Sequence, residues 1–277
     1  MRTDTSSNHA RAAAEGNRAR TLVRFNALLF HALAVASFLE RSAPGPVSGQ
    51  VVAEAGADTT GWLSGVWQPR REARARELQA YIEATWPEFD WISAYEAFCR
   101  SREERPVWPV ARTNSTCSVL QRCVLASQAA AFYRATARCA DDPALRELLR
   151  AAATDHARCF EFFRSCYALS ASRQRAGVLA ACRAVLEASR LARDCNVADA
   201  FQSLSAHWYG TPTISPLGYQ EFLGRMVPLI VRHAGLGWLE KMVFSPWSGR
   251  AASRPAADVQ PGQDSRTPRS VPLKKAA

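Results

Sequence analysis

The chain of 277 residues is long enough to bury a substantial core, either as one large domain with tails or as two small domains. Its net charge of +10 suggests a nucleic-acid function, but residues 1–20 carry +2 of it and residues 250–277 carry +4. Only +4 is left for the body of the chain. A basic recognition surface is therefore disfavoured, and we expect no nucleic-acid partner.

The eight cysteines are scattered along the chain without any C-x-x-C pair. A chain of this length does not depend on disulfides, and several of these cysteines fall among alanines, where a thiol behaves as a small apolar side chain. The pattern is typical of free thiols in a reducing compartment. We therefore expect a cytoplasmic protein.

The first organised segment is an apolar helix, predicted over residues 21–41 after a disordered basic tail at residues 1–20. Arg24, Asn26 and His31 interrupt its apolar run. The run therefore falls short of the roughly 18 clean apolar residues that a membrane span requires. This favours a packed or peripheral helix. The alternative is a signal or a membrane anchor over residues 22–39, which would make the protein membrane-associated.

The rest of the chain divides by composition. Residues 42–61 are rich in Gly, Pro, Ser and Ala, which predicts a flexible linker. Residues 62–247 have helical periodicity nearly throughout, and no stretch alternates for long enough to indicate a strand. Residues 248–277 contain few apolar residues and several prolines, which predicts a second disordered basic tail. The fold class expected is all-α.

Four helical stretches in the second half of the chain predict a bundle. The first runs to Cys139 with Gln128 on its inward stripe, and the second begins at Pro143 and places His156 and Cys159 on one face at i and i+3. A third helix is predicted over residues 177–208. The fourth is predicted over residues 219–243, with His233 on its inward side and a kink or shortening at Pro228.

The paired stretch "SQAAAFYRATARCADDPALRELLRAAATDHARCFEFF" resembles the ferritin-like superfamily, in particular its iron-containing redox and rubrerythrin-like branches. The similar family pattern is E-x-A-A-x-x-F-Y-R, D-P-x-L-R-x-L-L and D-E-x-R-H-x-x-F-F. The resemblance extends over residues 120–243. It implies a ferritin-like four-helix bundle, to which this chain adds N-terminal helices and disordered tails.

In that family, inward glutamates and Glu-x-x-His pairs from four helices hold two iron or manganese ions. Carried over by position, the first-helix glutamate falls on Gln128, and the second-helix Glu-x-x-His falls on His156 and Cys159. The fourth-helix histidine falls on His233, with Ile230 at the position of its glutamate. Two divalent ions would be costly to bury without carboxylates, so a conventional di-iron centre is disfavoured.

Three interpretations stay open. In the first, the metal has been lost, Gln128 and His156 hydrogen-bond to each other, and the bundle has a binding or accessory role. In the second, His156, Cys159, His233 and Gln128 hold a single iron, zinc or copper ion for oxidoreductase chemistry. The third is a metal-independent or cofactor-bearing enzyme on the helical scaffold; if the cofactor is haem, His31, His207 and His233 are candidate axial ligands. The sequence assigns no catalytic residue.

The predicted partners follow from the first interpretation. They are a small apolar molecule or a protein bound by the bundle, with a homodimer as a further alternative.

Overall fold

A computed structural model describes residues 21–42, 61–103, 115–173, 176–208 and 214–234. Within these ranges the regular structure is helical and contains no strand, which confirms the all-α class. The sequence-based expectations for residues 1–20, for most of the predicted linker and for residues 235–277 lie outside the described residues.

The helices are numbered in chain order. They are α1 (Ala27–Ser42), α2 (Gln68–Thr85), α3 (Trp91–Glu103), α4 (Ser115–Cys139), α5 (Pro143–Arg173), α6 (Val178–Arg190), α7 (Ala198–Ala206) and α8 (Tyr219–Ala234). Two π-helical segments adjoin them, Leu63–Trp67 before α2 and Leu191–Val197 between α6 and α7.

Helix α1 lies inside the protein, packed against α2, α3, α4, α7 and α8. Every residue from Leu29 to Phe38 is buried. This is the behaviour of a helix that is apolar on all sides. Asn26 begins the helix, because its side-chain oxygen accepts a hydrogen bond from the Leu29 backbone N–H at 3.0 Å. None of the helices in the described ranges is both long enough and apolar enough to cross a membrane.

Helices α4 and α5 form a long antiparallel hairpin. The second helix begins at Pro143 as predicted, and the Asp142 carboxylate accepts a hydrogen bond from the Ala144 N–H at 2.9 Å. At the other end of the hairpin, the hydroxyl groups of Thr116 and Ser170 lie 2.7 Å apart. Residues from both helices pack into two hydrophobic cores, one of them shared with α1.

The structure is helical without a break from Val178 to Ala206, as predicted for residues 177–208. Within this run the segment Leu191–Val197 is π-helical and separates α6 from α7. Pro228 lies inside α8, and the helix continues beyond it to Ala234. The remainder of the predicted fourth helix, residues 235–243, lies outside the described residues.

Candidate functional site: a buried ionic cluster

The most polar part of the interior is a cluster of side chains from four helices, which we call the Glu40 cluster. Helix α1 contributes a glutamate, α2 two arginines, α4 a tyrosine, and α5 an aspartate and a histidine. Its members are Glu40, Arg71, Arg74, Tyr133, Asp155 and His156. The glutamate and Arg74 side chains are each only 4% exposed, so this cluster is part of the core.

Both carboxylate oxygens of Glu40 are occupied. Oε1 accepts hydrogen bonds from the Tyr133 hydroxyl at 2.8 Å and from His156 Nε2 at 2.7 Å. Oε2 accepts from Arg71 Nε at 3.1 Å and from Arg74 Nη2 at 3.3 Å. Four donors from three other helices therefore converge on one carboxylate at the end of α1. This is the arrangement that a buried charge requires.

A second carboxylate links the cluster to the surface. Asp155 Oδ2 accepts from Arg74 Nη1 at 2.8 Å, and Oδ1 accepts from the half-exposed Arg70 at 3.2 Å. Arg71 also donates to the Leu39 carbonyl and lies over the Trp67 ring, with its guanidinium carbon 5.2 Å from the ring centroid. Both buried guanidinium groups are thus held by several partners.

The electrostatics favour an ionised glutamate. Burial by itself raises the pKa of the Glu40 carboxyl, but the charges of His156, Arg74 and Arg71 and the hydrogen bond from His156 outweigh it. The net result is a pKa well below the usual range. The Tyr133 hydroxyl is affected in the opposite direction, because burial and the nearby Glu40 charge raise its pKa well above the usual value. Tyr133 is therefore a neutral donor to an ionised acceptor.

His156, the first candidate ligand from the sequence, faces Glu40. Its ring stacks on the Tyr133 ring, with the centroids 5.3 Å apart and the planes 16° from parallel. Because its Nε2 donates to the Glu40 carboxylate, that nitrogen has no lone pair available for a metal ion.

Cys159 is buried in the second hydrophobic core, the one formed by residues from α4, α5 and α6. Burial is the main influence on its thiol and raises its pKa to about 12. A thiol binds metal as the thiolate, so this environment disfavours Cys159 as a ligand.

Gln128 bonds a different partner from the one expected. Its Nε2 donates to the Ser189 hydroxyl on α6 at 2.9 Å, whereas His156 bonds Glu40. The expectation that Gln128 and His156 bond each other is therefore wrong. The fourth candidate, His233, lies on α8, but its side chain is outside the described part of the structure.

The two other described histidines bond the backbone of their own helices. His31 Nδ1 donates to the Ala27 carbonyl at 2.7 Å, and its ring stacks on Phe201 at a centroid distance of 5.1 Å. Burial lowers its pKa. His207 Nδ1 donates to the Ser203 carbonyl at 2.8 Å. For both residues, Nε2 is the ring nitrogen that is not engaged in these bonds.

The donor set of the cluster does not fit a di-metal centre. Two guanidinium groups already bring positive charge to the Glu40 carboxylate, which is the side chain that would have to hold a cation. No group of three or more His, Cys, Asp or Glu side chains within the described ranges is placed to hold a metal ion. We therefore derive no chemistry through a metal at this point.

A groove lies at the opposite end of α1 from Glu40. It has a volume of about 620 Å³ and is lined by residues that precede and begin α1, by residues 214–217 and by the first turns of α8. Leu22, Phe25 and Leu217 supply apolar surface, and Glu221 and Arg225 form an ion pair at 2.5 Å on one wall. The groove is open to solvent, and most of its exposed lining is polar.

Comparison of the chain with protein-family models, with curated proteins and with solved structures gives no match.

Proposed function

We propose that the chain is a ferritin-like helical bundle in which the Glu40 cluster takes the place of the metal centre, and that it has a binding or accessory role. The observation that carries the proposal is the convergence of four helices on one buried carboxylate. Ferritin-like proteins likewise gather inward side chains from four helices at one point. In this chain two of the four helices, α1 and α2, lie outside residues 120–243, and the donors that converge on Glu40 pair with its carboxylate.

The charges of the cluster support a metal-free centre. Arg71, Arg74 and His156 bring positive charge to the cluster, and Glu40 and Asp155 supply two negative charges. A divalent ion placed among them would add charge beside the two guanidinium groups, in a region where unpaired charge is strongly unfavourable. The cluster therefore serves to join α1, α2, α4 and α5 rather than to bind an oxidant.

The groove between the beginnings of α1 and α8 suits the binding role. Its mainly polar lining and its Glu221–Arg225 ion pair favour a small polar or amphipathic molecule.

Metal analysis tests the proposal against the His/Cys/His alternative. We expect the full chain, purified with and without a chelator, to contain no stoichiometric iron, zinc or copper. Added zinc(II) or iron(II) should leave the unfolding midpoint unchanged, because His156 Nε2 and the Glu40 carboxylate already bond each other and the Cys159 thiol is buried in the second hydrophobic core.

The controls are His156→Ala, Cys159→Ala and Cys166→Ala, of which the last removes a buried cysteine that is not a candidate ligand. One metal ion per chain that is lost in the first two variants and kept in the third would contradict the proposal.

A further inference from the structure

Helix α6 carries a stripe of exposed apolar side chains. Its residues Val178, Leu179 and Leu186 are 67%, 85% and 59% exposed, and the thiol of Cys182 is exposed among them. With about 100° of rotation per residue, these four side chains fall within roughly 100° of one another around the helix. Single exposed apolar residues are ordinary, but a continuous stripe marks a contact surface.

The position of the stripe indicates what kind of partner is missing. The buried face of α6 consists of Ala181, Ala184 and Ala188, and it packs toward α4. The exposed stripe is centred about 140° around the helix from these alanines. A helix at the corner of a bundle has two such faces, one for each neighbouring helix. The stripe is therefore the face for a second neighbour.

We propose that residues 235–247 of the same chain cover the stripe. The chain continues for 43 residues beyond Ala234, where α8 ends, and the first thirteen of these include seven large apolar residues. These are Leu236, Trp238, Leu239, Met242, Val243, Phe244 and Trp247. The final thirty residues include only Val259, Val271 and Leu273 of this kind. Apolar side chains at this density require a surface on which to be buried.

Proximity along the fold favours this segment as the occupant. Both α6 and α8 pack against α4, so the chain that leaves α8 starts one helix away from the stripe. A tethered segment meets the surface at an effective concentration in the millimolar range. A second copy of the chain is not tethered in this way. The three aliphatic side chains of the stripe could bury apolar surface on the order of 100 Å² each against it. This is far below the roughly 800 Å² per partner of a stable interface.

The lysine distribution provides a direct test in the full, unaltered chain. Lysine occurs only at positions 241, 274 and 275, so Lys241 is the one lysine within the proposed segment. A short cross-linker that joins a thiol to an amine should link Cys182 to Lys241, with the product migrating as a single chain on a denaturing gel. Peptide mass spectrometry should find this link at least tenfold more often than a link from Cys182 to Lys274 or Lys275.

Two variants serve as controls. Lys241→Arg keeps the charge and should abolish the link, and Cys182→Ser should abolish every link assigned to that thiol. The proposal is overturned if Cys182 links equally to the lysines of the tail, if it links to no lysine, or if its links join two chains. A link between chains would instead indicate a second copy as the occupant.

Discussion

Replacing Glu40 with alanine is expected to lower the free energy of unfolding by about 3–5 kcal/mol. The substitution leaves two buried guanidinium groups without their shared carboxylate, and loss of one partner from a buried ion pair has a cost of this size. Chemical denaturation of the wild type and the variant measures the difference. The control is Glu88→Ala, which removes the more exposed pair with Arg24 and should cost about 1 kcal/mol or less.

The loss of stability caused by Glu40→Ala should depend on pH and should become smaller in acid. The pKa of Glu40 is depressed in the folded state. Its contribution is therefore fully present above the unfolded value of about 4.3 and is lost as the pH falls through the folded value. The difference between wild type and Glu40→Ala should be constant from about pH 5 to pH 7 and should shrink below about pH 4. A cost similar to that of Glu88→Ala, or a difference that grows in acid, would show that Glu40 is not a paired buried carboxylate.

Replacing Phe30 with alanine is expected to have an effect of similar size, about 3–5 kcal/mol. The Phe30 side chain is fully buried, and its ring meets those of Trp86, Phe89 and Trp208 edge-on at centroid distances of 5.0, 5.1 and 4.5 Å. Its removal would leave a cavity where α1 meets its neighbours, and the packed surroundings can close that cavity only in part.

Phe25 offers a matched control, because it lies just before α1 and is 57% exposed. Phe25→Ala should change the free energy of unfolding by about 0.5 kcal/mol or less. Equally small effects of both substitutions would mean that α1 is not part of the core.

The helical framework could be predicted well where local signals decide the structure. The start of α5 at Pro143 follows from the capping Asp142 and from the tolerance of proline in a first turn. The π-helical segment Leu191–Val197 could not be predicted, because no proline or glycine interrupts residues 178–208.

The site was less predictable, because its central residue has no local signature. Glu40 ends an apolar run, where a charged residue ordinarily marks the exposed end of a helix. Its burial depends on donors that are 31 to 116 residues away in the chain. Only His156 of the cluster was identified from the sequence, and it was expected to bond Gln128.

The sequence did contain one indication that Arg71 and Arg74 are buried. The apolar stripe of α2 contains Leu78 and Ile82, and extending it backwards by the helical period reaches Arg74 and Arg71. Two arginines on the buried face of a helix indicate a buried acidic partner, since such charges are almost never buried unpaired. Glu40, the one glutamate of the predicted apolar helix, was the candidate for that acidic partner.

A double-mutant cycle between Glu40 and His156 tests the central claim most directly, with unfolding measured in the presence of a chelator. If His156 donates a hydrogen bond to the Glu40 carboxylate, the effects of Glu40→Ala and His156→Ala on the free energy of unfolding should not add. We expect a coupling energy of about 0.5–3 kcal/mol, as is usual for residues in one buried network. If the two effects instead add within about 0.5 kcal/mol, the residues act independently, and the claim that Glu40 and His156 belong to one buried ionic cluster is contradicted.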